Sequence, residues 1–180
     1  MLVCMLLAAG SPARADDAAA WQALRDGGMV IFRHALAPGT GDPRNFRLED
    51  CSTQRNLNQA GRAQARGMGE AFRQRGIHVG GVLSSQWCRA VDTARLGFGD
   101  VAEVKQEPIF NSFFNDRTTA PEQTAAARAL LLGWNGPGAL VVVTHQVNIT
   151  DLTDIFPASG EGAVLQRRGG TLAVVGRIRP

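Results

Sequence analysis

An α/β fold is predicted, because short apolar runs alternate with stretches of helical periodicity, because the run Ala139–Val143 is apolar throughout, and because no repeat or linker divides the chain. At 180 residues with 44% hydrophobic content the polypeptide has the size and composition of one ordinary domain.

Residues 1–15 are set apart. Leu2 to Ala9 form an apolar run followed by Gly10, Ser11, Pro12 and the small-x-small triplet Ala13-Arg14-Ala15. That run is too short to span a bilayer, so a secretory leader cut after Ala15 is expected rather than stable membrane insertion or a disordered cytosolic leader. The expected organisation is a signal peptide over residues 1–15 and one domain over 16–180, exported to the periplasm or secreted. Removing the leader takes away one charged residue, Arg14, and brings the formal charge from +3 to +2. A nearly balanced chain without a Lys/Arg block or an aromatic-interleaved basic stripe does not read as a nucleic-acid binder. Its arginines suit a small anionic substrate better.

The domain starts with a helix from Asp17 to Arg25 that stops at Gly27-Gly28, and a strand Met29–Phe32 leading into Arg33-His34. Residues 37 to 55 hold too many glycines and prolines for a regular element, and a loop of that length in a compact domain is usually functional. Asn58 is placed to cap a helix running to about Arg75, with Ala60, Ala63, Met68, Ala71 and Phe72 at helical spacing and Gly76 as its stop. A second strand, Gly80–Ser85, ends in a serine turn before a helix from Trp87 to Leu96 that carries Arg89 near its start. A short strand is expected at 101–104 and a helix from Pro121 to Trp134. The buried strand Ala139–Val143 then runs into Thr144-His145. After a loop with Gly160, Gly162, Gly169 and Gly170, a closing strand Thr171–Val175 is expected at an edge or antiparallel.

Two of the three histidines, His34 and His145, terminate apolar strands, whereas His78 has no such company and is assigned to surface or packing. In open α/β sheets ligands bind beyond the carboxyl ends of parallel strands. If the two strands are parallel neighbours, His34 and His145 share one crevice with Arg33 and with Arg89, which follows a third strand end. Forked guanidiniums suit the oxygens of a transferring phosphoryl group, and a neutral imidazole is a competent nucleophile toward phosphorus, so no metal and no cofactor is required.

These residues resemble the histidine phosphatase superfamily, its phosphoglycerate mutase-like or acid phosphatase-like members. Arg33-His34-Ala35 is similar to that family's Arg-His-Gly signature, with alanine in place of glycine. Leu57 to Ala65 resembles its Leu-Thr-x-x-Gly-x-x-Gln-Ala helix opening. Ser84-Ser85-Gln86-Trp87-Cys88-Arg89-Ala90-Val91-Asp92-Thr93-Ala94 is close to its Ser-Ser-x-x-x-Arg-Ala-x-x-Thr-Ala segment, and Val143-Thr144-His145 resembles the strand that delivers the second histidine. The resemblance spans about residues 28 to 150. It implies a three-layer α/β/α sandwich around a mostly parallel sheet, a phosphohistidine formed on His34, and phosphoryl binding by Arg33, Arg89 and His145. For the proton donor many members place a glutamate after a later strand; the comparable region here offers Asp116 beside the apolar Phe113 and Phe114. Glu107 is the reserve, a solvated Asp116–Arg117 pair is the plain alternative, and a good leaving group would need no acid.

Cys4 lies in the leader, which leaves Cys51 and Cys88 either bridged in an oxidising compartment or as two separate thiols. Neither belongs to a zinc-binding cluster. The expected activity is metal-independent hydrolysis of phosphomonoesters on a small phosphorylated substrate, ahead of a mutase. The alternatives are a phosphate-ligand binding protein without turnover and a phosphohistidine-protein phosphatase. Oligomeric state and substrate identity are not encoded in any motif.

Overall fold

The computed structural model describes the backbone of residues 12–180 and the side chains from residue 17; the leader expected over residues 1–15 otherwise lies outside the described residues. Helix α1 (Pro12–Arg25) leads into strand β1 (Met29–Arg33), and α2 (Gln59–Gln74) into β2 (Val79–Ser84). Helix α3 (Cys88–Phe98) precedes β3 (Val104–Gln106), and α4 (Ala120–Gly133) precedes β4 (Ala139–Thr144). Helix α5 (Gln146–Thr153) and the strands β5 (Gly162–Arg168) and β6 (Thr171–Ile178) close the chain. One six-stranded sheet results, in the order β3-β2-β4-β1-β5-β6. Strands β3, β2, β4 and β1 run parallel, while β5 and β6 pair antiparallel at one side.

Successive side chains of a strand point to opposite faces, and both faces of this sheet are covered, which is why β1 and β4 read as unbroken apolar runs. Val30 and Phe32 of β1, with Val141 and Val143 of β4, pack under α1, α2 and α3 against Leu24, Met68, Phe72 and Phe98. Met29, Ile31, Leu140 and Val142 face the other way, toward Leu131 of α4 and Ile149 of α5. The outcome is the expected three-layer α/β/α sandwich. Phe32, Phe72 and Phe98 meet as an aromatic cluster with ring centroids 5.2 to 6.2 Å apart. Each is essentially fully buried, which stabilises the fold by roughly 1.5–3 kcal/mol per ring.

Helix α1 begins at Pro12 rather than Asp17 and the closing strand runs to Ile178 rather than Val175, and beyond such shifted bounds the sequence expectations depart from the structure in three places. The glycine-rich stretch before the closing strand is largely strand β5, whose Gly162 start and Gln166-Arg167-Arg168 end hide a short apolar centre. Gly169 and Gly170, at φ 55° and 79°, form the tight turn of the β5–β6 hairpin. The short strand expected at 101–104 lies instead at Val104–Gln106. Helix α5 has no counterpart in the sequence reading, because its eight residues are too few to display a helical period.

The long loop after β1 is held by specific contacts. Arg55 donates from Nε to the Gly41 carbonyl at 2.8 Å and from Nη1 to the Ala37 carbonyl. Gln54 donates to the carbonyls of Arg47 and Leu48 and accepts from the Cys88 amide. Cys51 and Cys88 are bridged, so the loop is covalently tied to the start of α3, one residue before Arg89. Closing a loop across a separation of 37 residues restricts the unfolded chain, and by loop-closure entropy this stabilises the fold by about 4 kcal/mol. A Cys51→Ser/Cys88→Ser double variant is therefore expected to unfold at clearly lower denaturant, with added reductant lowering the wild-type midpoint toward it. Equal midpoints with and without reductant would contradict a stabilising bridge.

Candidate active site

Three adjacent parallel strands end at the same height. Arg33 pairs in register with Thr144, and Ser84 with Val143. The next residues continue the ladder, with the His34 amide donating to Thr144 O at 2.9 Å and the Ser85 amide to Val143 O at 2.9 Å. His34, Ser85 and His145 are thus delivered side by side at the carboxyl edge of the sheet, the place where α/β proteins bind ligands. The rings of His34 and His145 meet edge to face, 5.5 Å between centroids.

The motif residues around them hold this arrangement. The Ala35 amide donates to Thr93 Oγ1, which donates in turn to the Arg89 carbonyl, so α3 is locked to the turn after β1. Asn58 caps α2 as expected, its side chain accepting from the Gly61 amide. Gly61 lies so close to the Leu36 backbone that a Cβ there would stand 2.0 Å from the Leu36 carbonyl oxygen. Gln64 of α2 accepts from the Leu36 amide and donates to Ser159 O. Ala35, where glycine is usual in the resembling signature, is fully buried and has no positive φ, so its methyl group strains nothing.

A pocket of about 100 Å³ opens at this edge, lined by Arg33, His34, Asp42, Arg55, Arg89 and His145, with Phe114 and Ser112 among the residues at its wall. All four residues expected to meet, Arg33, His34, Arg89 and His145, are in it. Arg89 is central: Nε donates to His34 Nε2 at 3.2 Å, and Nη2 lies 3.5 Å from His145 Nδ1. Arg33 donates from Nη1 to Pro157 O, while its buried Nε has no partner among the described residues. An orphaned guanidinium donor beside a pocket is available to an entering anion.

His34 Nδ1 lies 2.8 Å from the Ala35 carbonyl, which can only accept. The proton therefore sits on Nδ1 and leaves the Nε2 lone pair facing Arg89. Burial, reinforced by the positive charge of Arg89, pushes His34 down to about 3, so its imidazole is neutral at physiological pH. Burial and the same guanidinium also hold His145 well below the usual histidine range. His145 Nε2 lies 2.8 Å from Ser85 Oγ, a hydroxyl that can also turn to Asn111 Oδ1 at 3.3 Å.

Two charged residues of the pocket carry no signal in the sequence, Asp42 and Arg55, both on the loop after β1. The long polar loop pointed to that segment, but nothing in its composition told a substrate-facing arginine from a solvated one. Asp116 stands elsewhere. Its carboxylate accepts from the amide and hydroxyl of Thr118 at the start of a short 3₁₀ turn, and those hydrogen bonds lower its proton affinity. Asp116 is not among the pocket residues, so its carboxyl is not placed to protonate a leaving group there. Glu107 lies on a separate groove beside Lys105 and Trp134. Of the expected apolar wall, Phe113 is buried against Ala120 and Val147, and Phe114 reaches the pocket. His78 is exposed, and Arg117 pairs with Asp151 rather than Asp116.

The model of the histidine phosphatase superfamily, branch 1, matches residues 29–112, which carry β1, the loop, α2, β2, α3 and Arg89. No curated protein sequence matches the chain. Among solved structures it is similar to the protein histidine phosphatase SixA complexed with tungstate, at 17% identity over 84% of this chain and 96% of that one, with a TM-score of 0.60. It is also similar to a mycobacterial glucosyl-3-phosphoglycerate phosphatase complexed with VO3, at 15% identity over 81% of this chain and 95% of that one, TM-score 0.58. A phosphoserine phosphatase variant from Entamoeba histolytica in complex with phosphoserine matches at 15% identity over 84% of this chain and 96% of that one, TM-score 0.57. The family model matches the segment that carries Arg33, His34, Asp42, Arg55 and Arg89, and the fold is shared across nearly the whole of these phosphatases: this chain is similar to the histidine phosphatase superfamily in that segment and to its solved members in fold.

Proposed function

We propose that this protein is an exported, metal-independent phosphatase that hydrolyses phosphomonoesters through a phosphohistidine on His34. The observation that carries this reading is a neutral imidazole, its tautomer fixed by the Ala35 carbonyl, whose unprotonated Nε2, hydrogen-bonded by Arg89 Nε, faces a pocket holding three guanidiniums. Nucleophile and charge stabilisers are thereby preorganised around one tetrahedral centre.

In the first step His34 Nε2 attacks phosphorus as the P–O bond to the leaving group breaks. Arg33, Arg55 and Arg89 neutralise the phosphoryl oxygens. If the Ser85 hydroxyl donates to His145 Nε2, the ring carries its proton on Nδ1 and donates it to a phosphoryl oxygen; Asn111 Oδ1 still accepts from the Gln86 amide. In the second step water attacks phosphorus, the P–N bond breaks and phosphate leaves. The Cys51–Cys88 bridge supports an oxidising compartment, in agreement with the leader expected over residues 1–15. None of the described helices is long and apolar enough to cross a membrane.

The pocket itself supports a second reading within the same chemistry. At about 100 Å³ it is smaller than the roughly 300–1,000 Å³ of sites that enclose a drug-sized ligand. It has room for the phosphoryl group while the leaving group stays at the rim, which suits a phosphohistidine presented by a protein as well as a small ester. A screen of phosphate release from sugar phosphates, nucleotides, inositol polyphosphates, phosphopeptides and a phosphohistidine protein tests both. Release that persists in EDTA is expected; loss of all release in EDTA would contradict the metal-independent route.

The depressed His34 basicity has its own signature. A group whose folded pKa lies below its unfolded value contributes stability above the unfolded value, near 6.5, that is lost as pH falls toward the folded one. Histidine NMR signals from His34 are therefore expected to stay in the neutral form as pH falls through about 5, and the protein to lose stability over that range. Protonation of His34 with an ordinary midpoint would contradict the buried, guanidinium-flanked geometry.

A further inference from the structure

Among the described residues the pocket contains one carboxylate, Asp42, and it occupies the donors the mechanism assigns to phosphate. Arg89 Nη1 donates to Asp42 Oδ1 at 2.6 Å and Nη2 to Oδ2 at 3.1 Å, a forked pair whose side chains are only 3% and 8% exposed. The indole N–H of Trp87 donates to the same Oδ2 at 2.9 Å. Both terminal nitrogens of the central guanidinium are thus held by a carboxylate, an arrangement that places Asp42 where phosphoryl oxygens must bind. Gly41, immediately before it, has φ 68°, a left-handed conformation that glycine adopts without strain, and its carbonyl is pinned by Arg55.

An entering phosphoryl dianion competes for that fork. Once it takes Arg89, Asp42 loses its strongest donors and is left beside a like charge, and both changes favour its protonated form. The other groups that face it are the Trp87 indole at the start of α3, Arg55 on its own loop, His34 and Arg33 at the end of β1, and His145 at the end of β4. The last four are cationic or neutral and are shared with the dianion, so they do not replace the lost pair.

We propose that Asp42 is the anion that the phosphoryl group displaces from Arg89, and that the displaced, protonated carboxyl is the proton donor to the leaving group. The proposal rests on the phosphatase reading above. As the His34 Nε2–P bond forms and the P–O bond breaks, the Asp42 carboxyl proton passes to the departing ester oxygen, giving an alcohol, a phosphohistidine and a carboxylate. In the second step that carboxylate takes a proton from the water attacking phosphorus, the P–N bond breaks, and phosphate and the acid form of Asp42 result. Departure of phosphate lets Asp42 release the proton and return to Arg89.

The test is Asp42→Asn, which keeps the size of the side chain and removes its charge and its acid. Tungstate, a tetrahedral dianion that is not hydrolysed, measures the displacement by calorimetry. Glycerol phosphate and p-nitrophenyl phosphate, with a poor and a good leaving group, measure the acid. Asn at this position is expected to tighten tungstate binding by about tenfold and to flatten its pH dependence, wild-type affinity rising as pH falls from about 8 to 6. It is expected to slow kcat on glycerol phosphate by about 10²-fold or more and on p-nitrophenyl phosphate by far less. Tighter anion binding with slower turnover is a split that a merely collapsed loop would not give. Weaker tungstate binding in the variant, or equal slowing on both esters, would overturn the proposal. Tungstate binding needs no turnover, so its result bears on Asp42 alone, whereas a wild type that hydrolyses neither ester overturns the phosphatase reading and the acid role together.

Discussion

His34→Ala is expected to reduce phosphate release by on the order of 10⁴-fold or more, because it removes the nucleophile and leaves only charge stabilisation for a direct attack by water. The imidazole is not an interchangeable surface group. It is 3% exposed and in contact through both nitrogens, with Ala35 O on one side and Arg89 Nε on the other. Its loss leaves a small polar void beside three cationic side chains, so anion binding should survive in part while turnover disappears. Tungstate affinity measured beside turnover separates these effects: retained binding with lost turnover marks the nucleophile, while retained turnover would move that role to another group.

Arg89→Ala carries the second large effect. Its guanidinium touches His34, His145 and Asp42 together, so its removal takes away a phosphoryl-binding fork, the donor to His34 Nε2 and the partner of a buried carboxylate. A loss of roughly 10³-fold in kcat/KM is expected, in the range found when an arginine that neutralises a transferring phosphoryl group is missing. Arg89→Lys should recover little of it, since a single ammonium cannot span the oxygens that the planar fork reaches. A Lys variant within a few-fold of wild type would show that charge, rather than bidentate geometry, is what the site requires. Thermal unfolding of both variants guards against misreading a folding defect, because breaking a buried ion pair is itself destabilising.

The strand ends and their histidines were legible in the sequence because both faces of the central strands are buried. Such strands appear as continuous apolar runs, and Val143-Thr144-His145 and Phe32-Arg33-His34 mark where the burial stops. Asn58, Gly61 and Gln64 were legible as a motif, and their contacts with Leu36 and Ser159 supply its physical content. An even cysteine count outside the expected leader left Cys51 and Cys88 readable either as a bridge or as two thiols, and the bridge is formed. Asp42 and Arg55 were not legible, since their roles depend on the path of a loop fixed by backbone carbonyls at Ala37 and Gly41, a bridge and an indole, none of which has a period. Asp116 lies in the region comparable to the family's glutamate and next to two phenylalanines in sequence, but it folds so that its carboxylate caps a turn. Strand β5 was hidden because its edge-ward end is charged, where a central strand would be apolar.

The central claim is a covalent phosphoryl group on His34. Rapid base-quench of the enzyme during turnover of p-nitrophenyl phosphate, followed by peptide mass spectrometry at alkaline pH, reads it directly. The account predicts a phosphoryl adduct on the peptide carrying His34, absent in His34→Ala and alkali-stable as a phosphoramidate. Steady turnover with the adduct on a different residue, or with no adduct while single-turnover kinetics show phosphate and alcohol released together, would contradict it.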